Sequence, residues 1–483
     1  MGSGCDEFYG NRVATALHIR HGVDRTKVAA VIATAEKRRR KIRFVHSRIL
    51  AGALLAAAVV RMGAAEPTAP TFATDVAPIV YAHCATCHRP GQAAPFSLLT
   101  YDDVKRRATL IVNATSRRYM PPWHATPGPG FPEFRDDRRL ADADVATLKA
   151  WVDAGMPSGD LTKAPAPPVF ADGWALGKPD VEIEYPAAVD VPADGPDIYR
   201  NVVLPLDLAE DTWVTAVDFE PSARKVVHHA LFFAGPADTF KAGGADNLFA
   251  GLRSGGIPSL GGWVPGMTPR FFPDGIAQPL PAHTNLIVQL HLHPSGKVEH
   301  ERGKMAIYFA KQRPSKRLTS LQVPPMFGYA IGIDIPAAEK QFTIKDSFVL
   351  PVDVDALGAR GHAHYLAHQM KMTATLPDGS TRGLLWIADW DFGWQDSYFF
   401  KTPIALPKGT RVDCEIVYDN SETNPRNPNS PPKRVKWGLG TLDEMGSMTL
   451  LVTTSSRQDE GMLRRASSQH FRQQLAAMFL GRH

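Results

Sequence analysis

The chain of 483 residues is predicted to fold as a small all-α domain followed by two all-β sandwich domains. Three observations predict this. The length exceeds what one hydrophobic core serves, and points to several domains. Helical apolar spacing is confined to residues 67–160. From about 170 to 455 short runs of Val, Ile, Phe and Tyr alternate with polar residues between Gly, Pro, Asn and Asp, the texture of antiparallel sandwiches. The 40 Pro and 39 Gly agree with many turns and few long helices.

The leader, residues 1–65, comes first. The formal net charge of +5 hides an asymmetry, because residues 1–62 hold 12 Lys and Arg against 4 Asp and Glu, leaving 42 against 45 for the rest. A slightly acidic body has no electrostatic footprint for nucleic acid, and that class is set aside. The apolar run Ile49–Val60 follows a basic run from Lys37 to Arg43 and is too short for a bilayer, which needs roughly 20 residues. With Gly63-Ala64-Ala65 behind it, it reads as a secretory signal cleaved after Ala65. The mature protein is then expected to be periplasmic or secreted, with no stable membrane insertion. An uncleaved anchor is the alternative. The long polar stretch ahead of the signal suggests a true start downstream, for example at Val45.

Residues 67–160 follow. Ala77–Tyr81 reads as a helix leading into Cys84, and Asp142–Ala154 carries Val145, Leu148, Trp151 and Val152 at amphipathic spacing. A Pro- and Gly-rich loop, Pro121–Pro132, lies between them. A linker spans 161–177. Strands are expected at Trp213–Phe219, Leu286–His291, Met305–Ala310, Met370–Leu376 and Arg411–Tyr418. The β region divides into 178–312 and 313–455, and the tail 456–483 reads as one polar helix.

Cys84-Ala85-Thr86-Cys87-His88 is the CxxCH pattern. Two thiols at this spacing add across the vinyl groups of a haem while the adjacent His offers a nitrogen to the iron, so the helical domain reads as a cytochrome c domain. A thioether suits the sixth iron position, and Met120 in Met120-Pro121-Pro122-Trp123 is the choice, with Met156, His83 and His124 as rivals. With Cys5 in the leader, Cys414 stands alone and no structural disulfide is expected.

Three histidine clusters fall in the β region. They are His228-His229, His291-Leu292-His293 and His362-Ala363-His364. On a strand, residues i and i+2 share a face, so His362 and His364 can chelate one metal. Adjacent His228 and His229 can share one only where the backbone bulges or turns. Imidazole suits zinc, copper, iron or nickel, whereas a thioether such as that of Met445 selects copper(I). Trp386, Trp390, Phe392 and Trp394 read as an aromatic strand pair, either sandwich core or the lining of an apolar pocket.

Taken in order, His-His, a strand ending in His, His-x-His and Glu444-Met445 resemble the copper type II, ascorbate-dependent monooxygenases, the group of peptidylglycine α-hydroxylating and dopamine β-monooxygenases. Gly262–Gly266, Leu376–Ser380 and Tyr418–Pro428 fit the same resemblance, which covers about 178–455. It implies two jelly-roll sandwiches with one copper each, facing across a wet cleft. His228, His229 and His291 would hold the electron-transfer copper, with His293 in reserve. His362, His364 and Met445 would hold the oxygen-binding copper and be the catalytic set. Arg360 matches an arginine that holds the substrate carboxylate in the peptide enzymes, but Ser447 and Thr449 replace its asparagine and tyrosine helpers, which speaks against peptide amidation.

The implied activity is hydroxylation of a C–H bond of an unknown organic substrate with O2. Its cofactors would be two copper ions and one haem c, the haem relaying electrons from ascorbate or another external donor to the copper at His228, His229 and His291. Two rivals remain: a copper and haem electron carrier or redox sensor without hydroxylation, and a zinc hydrolase using His362, His364 and an Asp or Glu.

Overall fold

The computed structural model describes residues 69–481 except 93, 171–172, 236–258, 266, 268, 274 and 439. The signal-peptide expectation therefore lies outside the described residues. No helix among the described residues is long and apolar enough to cross a membrane.

Three α-helices, α1 (Ala77–His83), α2 (Tyr101–Ser116) and α3 (Asp142–Asp153), with a π-helical turn Phe72–Val76 leading into α1, form the first region. Phe72, Val80, Val104, Ile111, Leu148 and Trp151 close their core. Helix α3 starts at its expected residue. Helix α2 was not foreseen, although its signals are ordinary. Thr100 Oγ1 accepts the Asp103 N–H at 3.1 Å, Asp102 and Asp103 sit where the helix dipole favours acids, and the buried Val104, Ala108, Ile111 and Thr115 follow one stripe.

The Pro- and Gly-rich loop leaves the helices and straps onto the second β region. Trp123, Ala125 and Phe134 are buried in that region's core. Thr126 N–H donates to Trp386 O at 2.7 Å, Gly383 N–H to Gly130 O at 2.8 Å and Arg135 N–H to Phe399 O at 2.7 Å. Gly383 is needed here, since a Cβ would meet the Phe131 ring at 2.5 Å.

Two sandwiches make up most of the remaining chain. The first packs the sheet ordered Val181–Glu184, Lys304–Phe309, Thr212–Glu220, Ile276–Leu280, Lys316–Arg317 against the sheet ordered Ile198–Pro205, Asn285–Leu292, Val227–Gly235, Ser259–Trp263. Side chains from both, including Val214, Phe219, Phe232, Leu286, Leu290 and Ile307, form its core. The second packs Thr319–Val323, Gly446–Thr454, Val354–Ala363, Ser397–Leu406 against Phe342–Val349, Arg411–Tyr418, Ala367–Thr375, Thr381–Ile387. Its core includes Ile344, Met370, Leu385, Ile416, Leu450 and the lone Cys414. The chain crosses from one to the other at Leu318, since Arg317 still pairs with Ala277 and Thr319 already pairs with Val452. Ile276 from the first sandwich packs with Leu357, Phe399 and Leu451 from the second.

Every strand predicted from the sequence is present within a few residues. The aromatic strand pair is the exception. Only Trp386 lies on a strand, Thr381–Ile387, and residues 388–396 form a loop in which Asp389, Asp391 and Gly393 interrupt the pattern. The tail forms α4 (Arg457–Phe479), capped by Ser456 and tied back through His470 to Asp346 at 2.9 Å.

Candidate functional site: two histidine clusters and a CxxCH turn

The first cluster forms on strands β1 (Val227–Gly235) and β2 (Asn285–Leu292), which pair antiparallel with His229 opposite His291. The register slips between Val227 and His229, so His228 is the extra residue of a bulge. That is the condition under which two adjacent histidines turn to one side. Nitrogen atoms of His228, His229 and His291 all lie within 4.8 Å of one another. His229 Nδ1 is 3.3 Å from His228 Nδ1 and 3.3 Å from His291 Nδ1.

The far side of His291 is fastened. Its Nε2 donates to Asp197 Oδ2 at 2.8 Å and lies 3.2 Å from Thr441 Oγ1, while the Tyr199 ring stacks on it at 4.5 Å. An acceptor on Nε2 leaves the Nδ1 lone pair for a metal. His293 does not join the cluster. Its side chain is 65% exposed and its Nδ1 donates to the other Asp197 oxygen at 2.6 Å. Burial lowers the pKa of His228 to about 3 and that of His229 well below the usual imidazole value, which keeps both neutral and ligand-competent. Three imidazoles converging on one point suit copper or zinc.

The second cluster sits on β3 (Val354–Ala363) and β4 (Gly446–Thr454). His362 pairs with Ser447 and Ala363 with Gly446, so one further step of this register sets Met445 opposite His364. Arg360, His362 and His364 alternate with residues that face the sandwich core. A Cβ on Gly361 would meet Met370 Sδ at 2.7 Å and the Trp390 ring at 3.3 Å, so glycine lets the two sheets close. His362 Nδ1 donates to Gln395 Oε1 at 2.7 Å and His364 Nδ1 to Asp443 O at 3.1 Å. The Nδ1 bond of His362 leaves its Nε2 open as a ligand, while the His364 ring also meets the Gly440 backbone. Burial pushes His362 to about 3 and His364 to about 4, so these imidazoles too are neutral. Met445 is 4% exposed.

Glu444 staples this loop. Its buried carboxylate accepts the N–H groups of His364 at 2.5 Å, Leu366 at 2.9 Å and Met445 at 2.9 Å, and burial raises its pKa to about 8. With its oxygens so engaged, Glu444 is not available as a third ligand beside His362 and His364. The Arg360 side chain, by contrast, makes no hydrogen bond or ion pair among the described residues.

The two clusters approach one another. The Phe392 ring stacks on His228 at 4.5 Å and meets His364 at 5.4 Å. The four aromatic residues of the loop region thus divide: Trp386 packs on Phe131, Trp390 is core and donates to His364 O at 3.0 Å, Trp394 lies under Arg138, and Phe392 stands between the clusters. Sequence reasoning missed Asp197 and Gln395, and the stapling role of Glu444. Only Glu444, beside Met445, carried a local hint.

In the helical region, the N–H groups of Cys87 and His88 both donate to Cys84 O, at 3.2 and 2.9 Å, folding the motif into one tight turn at the end of α1. His88 Nδ1 donates to Phe96 O at 3.2 Å, which frees Nε2. Both thiols are half-buried, and burial raises Cys84 to about 12, so neither is a reactive thiolate. Met120 follows α2, its N–H donating to Ala114 O at 3.2 Å. Among its rivals, Met156 packs against the helical core, His83 is exposed, and the His124 N–H donates to Tyr398 Oη at 3.3 Å on the second sandwich.

The chain matches no protein-family model. No curated protein matches it significantly in sequence. Among solved structures it is similar to the infectious bursal disease virus VP2 subviral particle, at 12% identity over 61% of this chain and 76% of that one, with a TM-score of 0.19. It is also similar to a peptide-N(4)-(N-acetyl-β-D-glucosaminyl) asparagine amidase, at 9% identity over 57% of this chain and 96% of that one, with a TM-score of 0.27. Likenesses this weak carry no functional argument.

Proposed function

We propose that this chain is an exported copper-dependent monooxygenase, a cytochrome c domain joined to two jelly-roll copper domains, which hydroxylates a C–H bond of an organic substrate with O2. The observation that carries the reading is the convergence of His228, His229 and His291 on one point, made possible by the bulge at His228. The pairing of His362 and His364 with the register position of Met445 supports a second, softer site.

When bound, two coppers and a haem c would supply the one-electron steps and the O2 activation that hydroxylation requires. His228, His229 and His291 would hold one copper through neutral nitrogens, with Asp197 fixing His291. His362 and His364, each held at Nδ1, would present Nε2 to the other, and Met445 would add a thioether that favours the reduced ion. Arg360 shares their face and, with no ion-pair partner for its side chain among the described residues, would take an anionic group of the substrate. Cys84, Cys87 and His88 would carry the haem. The haem would relay electrons from ascorbate or another external donor to the copper at His228, His229 and His291. Arg138, whose charge acts on Cys87, is 3.7 Å from Asp396, next to Gln395. Arg89 likewise feels Arg224, four residues before His228.

The zinc hydrolase reading loses its third ligand, because no carboxylate joins His362 and His364 in a metal-binding group among the described residues. Product profiling with labelled O2 tests the proposal. Incorporation of one labelled oxygen into a product, with haem oxidation keeping pace, is expected. Copper binding with no O2 consumption for any substrate would favour the electron-carrier reading instead.

A further inference from the structure

We propose that Phe392 is the bridge through which an electron crosses between the two histidine clusters, an inference that rests on the two-copper reading above. Phe392 lies in the 388–396 loop and is 3% exposed, yet it contributes to none of the sandwich cores. One face of its ring stacks on His228, with centroids 4.5 Å apart and planes 25° from parallel. It also meets His364 at 5.4 Å and 66°, and Tyr365 at 4.5 Å.

Its neighbours explain the placement. Trp390 Nε1 donates to His364 O at 3.0 Å, Gln395 Nε2 to Phe392 O at 3.1 Å, and Gln395 Oε1 accepts from His362 Nδ1 at 2.7 Å. The loop is therefore pinned to the His362 and His364 side, and the Phe392 ring reaches from it to the bulged His228. Tunnelling falls off steeply across gaps and far less through packed atoms, so a single ring in contact with a ligand of each cluster offers a packed route between them, beside the backbone path from Thr441 at His291 to Asp443 at His364. The step moves one electron. Copper(I) held by His228, His229 and His291 becomes copper(II), and copper(II) held by His362, His364 and Met445 becomes copper(I), with no proton moved and no bond made. An external reductant such as ascorbate restores the donor ion.

The experiment uses the copper- and haem-loaded full chain as wild type, Phe392→Leu and Phe392→Tyr. Copper per chain is measured first. One electron equivalent is then added to the oxidised protein, and redistribution between the two copper signals is followed by freeze-quench electron paramagnetic resonance. Phe392→Leu is expected to keep two coppers but to equilibrate at least about tenfold more slowly, equivalent to ~1.4 kcal/mol of barrier, while Phe392→Tyr matches wild type. A purely packing role would alter thermal stability without altering that rate. Wild-type speed in Phe392→Leu with both coppers bound overturns the bridge and leaves the two-copper reading standing. Failure of wild type to take up two coppers overturns that reading and the bridge together. Should Phe392→Leu not fold, Phe392→Met carries the same comparison.

Discussion

Asp197 and His291 meet across the edge of the first sandwich, carboxylate Oδ2 to imidazole Nε2 at 2.8 Å. The contact decides which nitrogen of His291 faces inward. It also joins the histidine that belongs to the cluster to His293, which does not.

Removing the carboxylate frees the His291 ring to rotate. Asp197→Ala is expected to weaken metal binding at the His228, His229 and His291 cluster by about 10- to 100-fold, as loss of an outer-shell partner does elsewhere. The second cluster should keep its affinity. Competitive titration with a copper(I) chelator measures both, and equal affinities in variant and wild type would remove Asp197 from the site.

Met445→Leu keeps the volume and loses the sulfur. It should leave the fold and the first cluster intact while lowering copper(I) affinity at His362 and His364 more than copper(II) affinity, because the thioether is the soft donor. Parallel titrations in the two oxidation states check this, and a variant indistinguishable from wild type in both would take Met445 out of the ligand set.

Glu444→Ala strips three buried N–H groups of their acceptor. Each unsatisfied group costs roughly 1–3 kcal/mol, so a loss of several kcal/mol is expected, read as a large drop in thermal midpoint. A stability change under about 0.5 kcal/mol, the usual range of a surface substitution, would contradict the stapling role.

Asp218, 9% exposed on the strand Thr212–Glu220, has its pKa raised by burial from 3.8 to about 6, against the pull of the Phe219 N–H. The folded protein thus prefers the protonated acid. The contribution is fully present below the unfolded value and disappears as pH rises through about 6. At pH 7 the buried charge costs on the order of 3 kcal/mol. Asp218→Asn should therefore raise the thermal midpoint at pH 7 and leave it unchanged at pH 4; a midpoint that does not depend on pH in this comparison would refute the assignment.

Much of this architecture was legible in the residues. Arg411–Tyr418 and the start of α3 at Asp142 lie where alternation and capping put them. Two adjacent histidines could share a face only where the backbone bulges or turns, and the register slip at His228 supplies the bulge. What escaped was non-local. Asp197 and Gln395 are polar residues in unremarkable loops, and only strand pairing brings Asp197 opposite His293 and the 388–396 turn beneath His362. The strap of Trp123, Ala125 and Phe134 onto the second sandwich is likewise invisible in a Pro- and Gly-rich run, because its partners Trp386, Tyr398 and Phe400 lie more than 250 residues away. The aromatic run 386–394 misled for a related reason: alternating large side chains suggest a strand, but Asp389, Asp391 and Gly393 turn it into a loop with four separate destinations.

The central claim is that two histidine cages hold copper in a chain that also carries a covalent haem. Elemental analysis of the purified, metal-reconstituted chain, paired with a haem assay, tests it most directly. The account predicts two coppers and one haem per chain with no zinc, falling to one copper when His362 and His364 are both replaced by Ala. Zinc in either cage, or copper content unchanged by that double replacement, would contradict it.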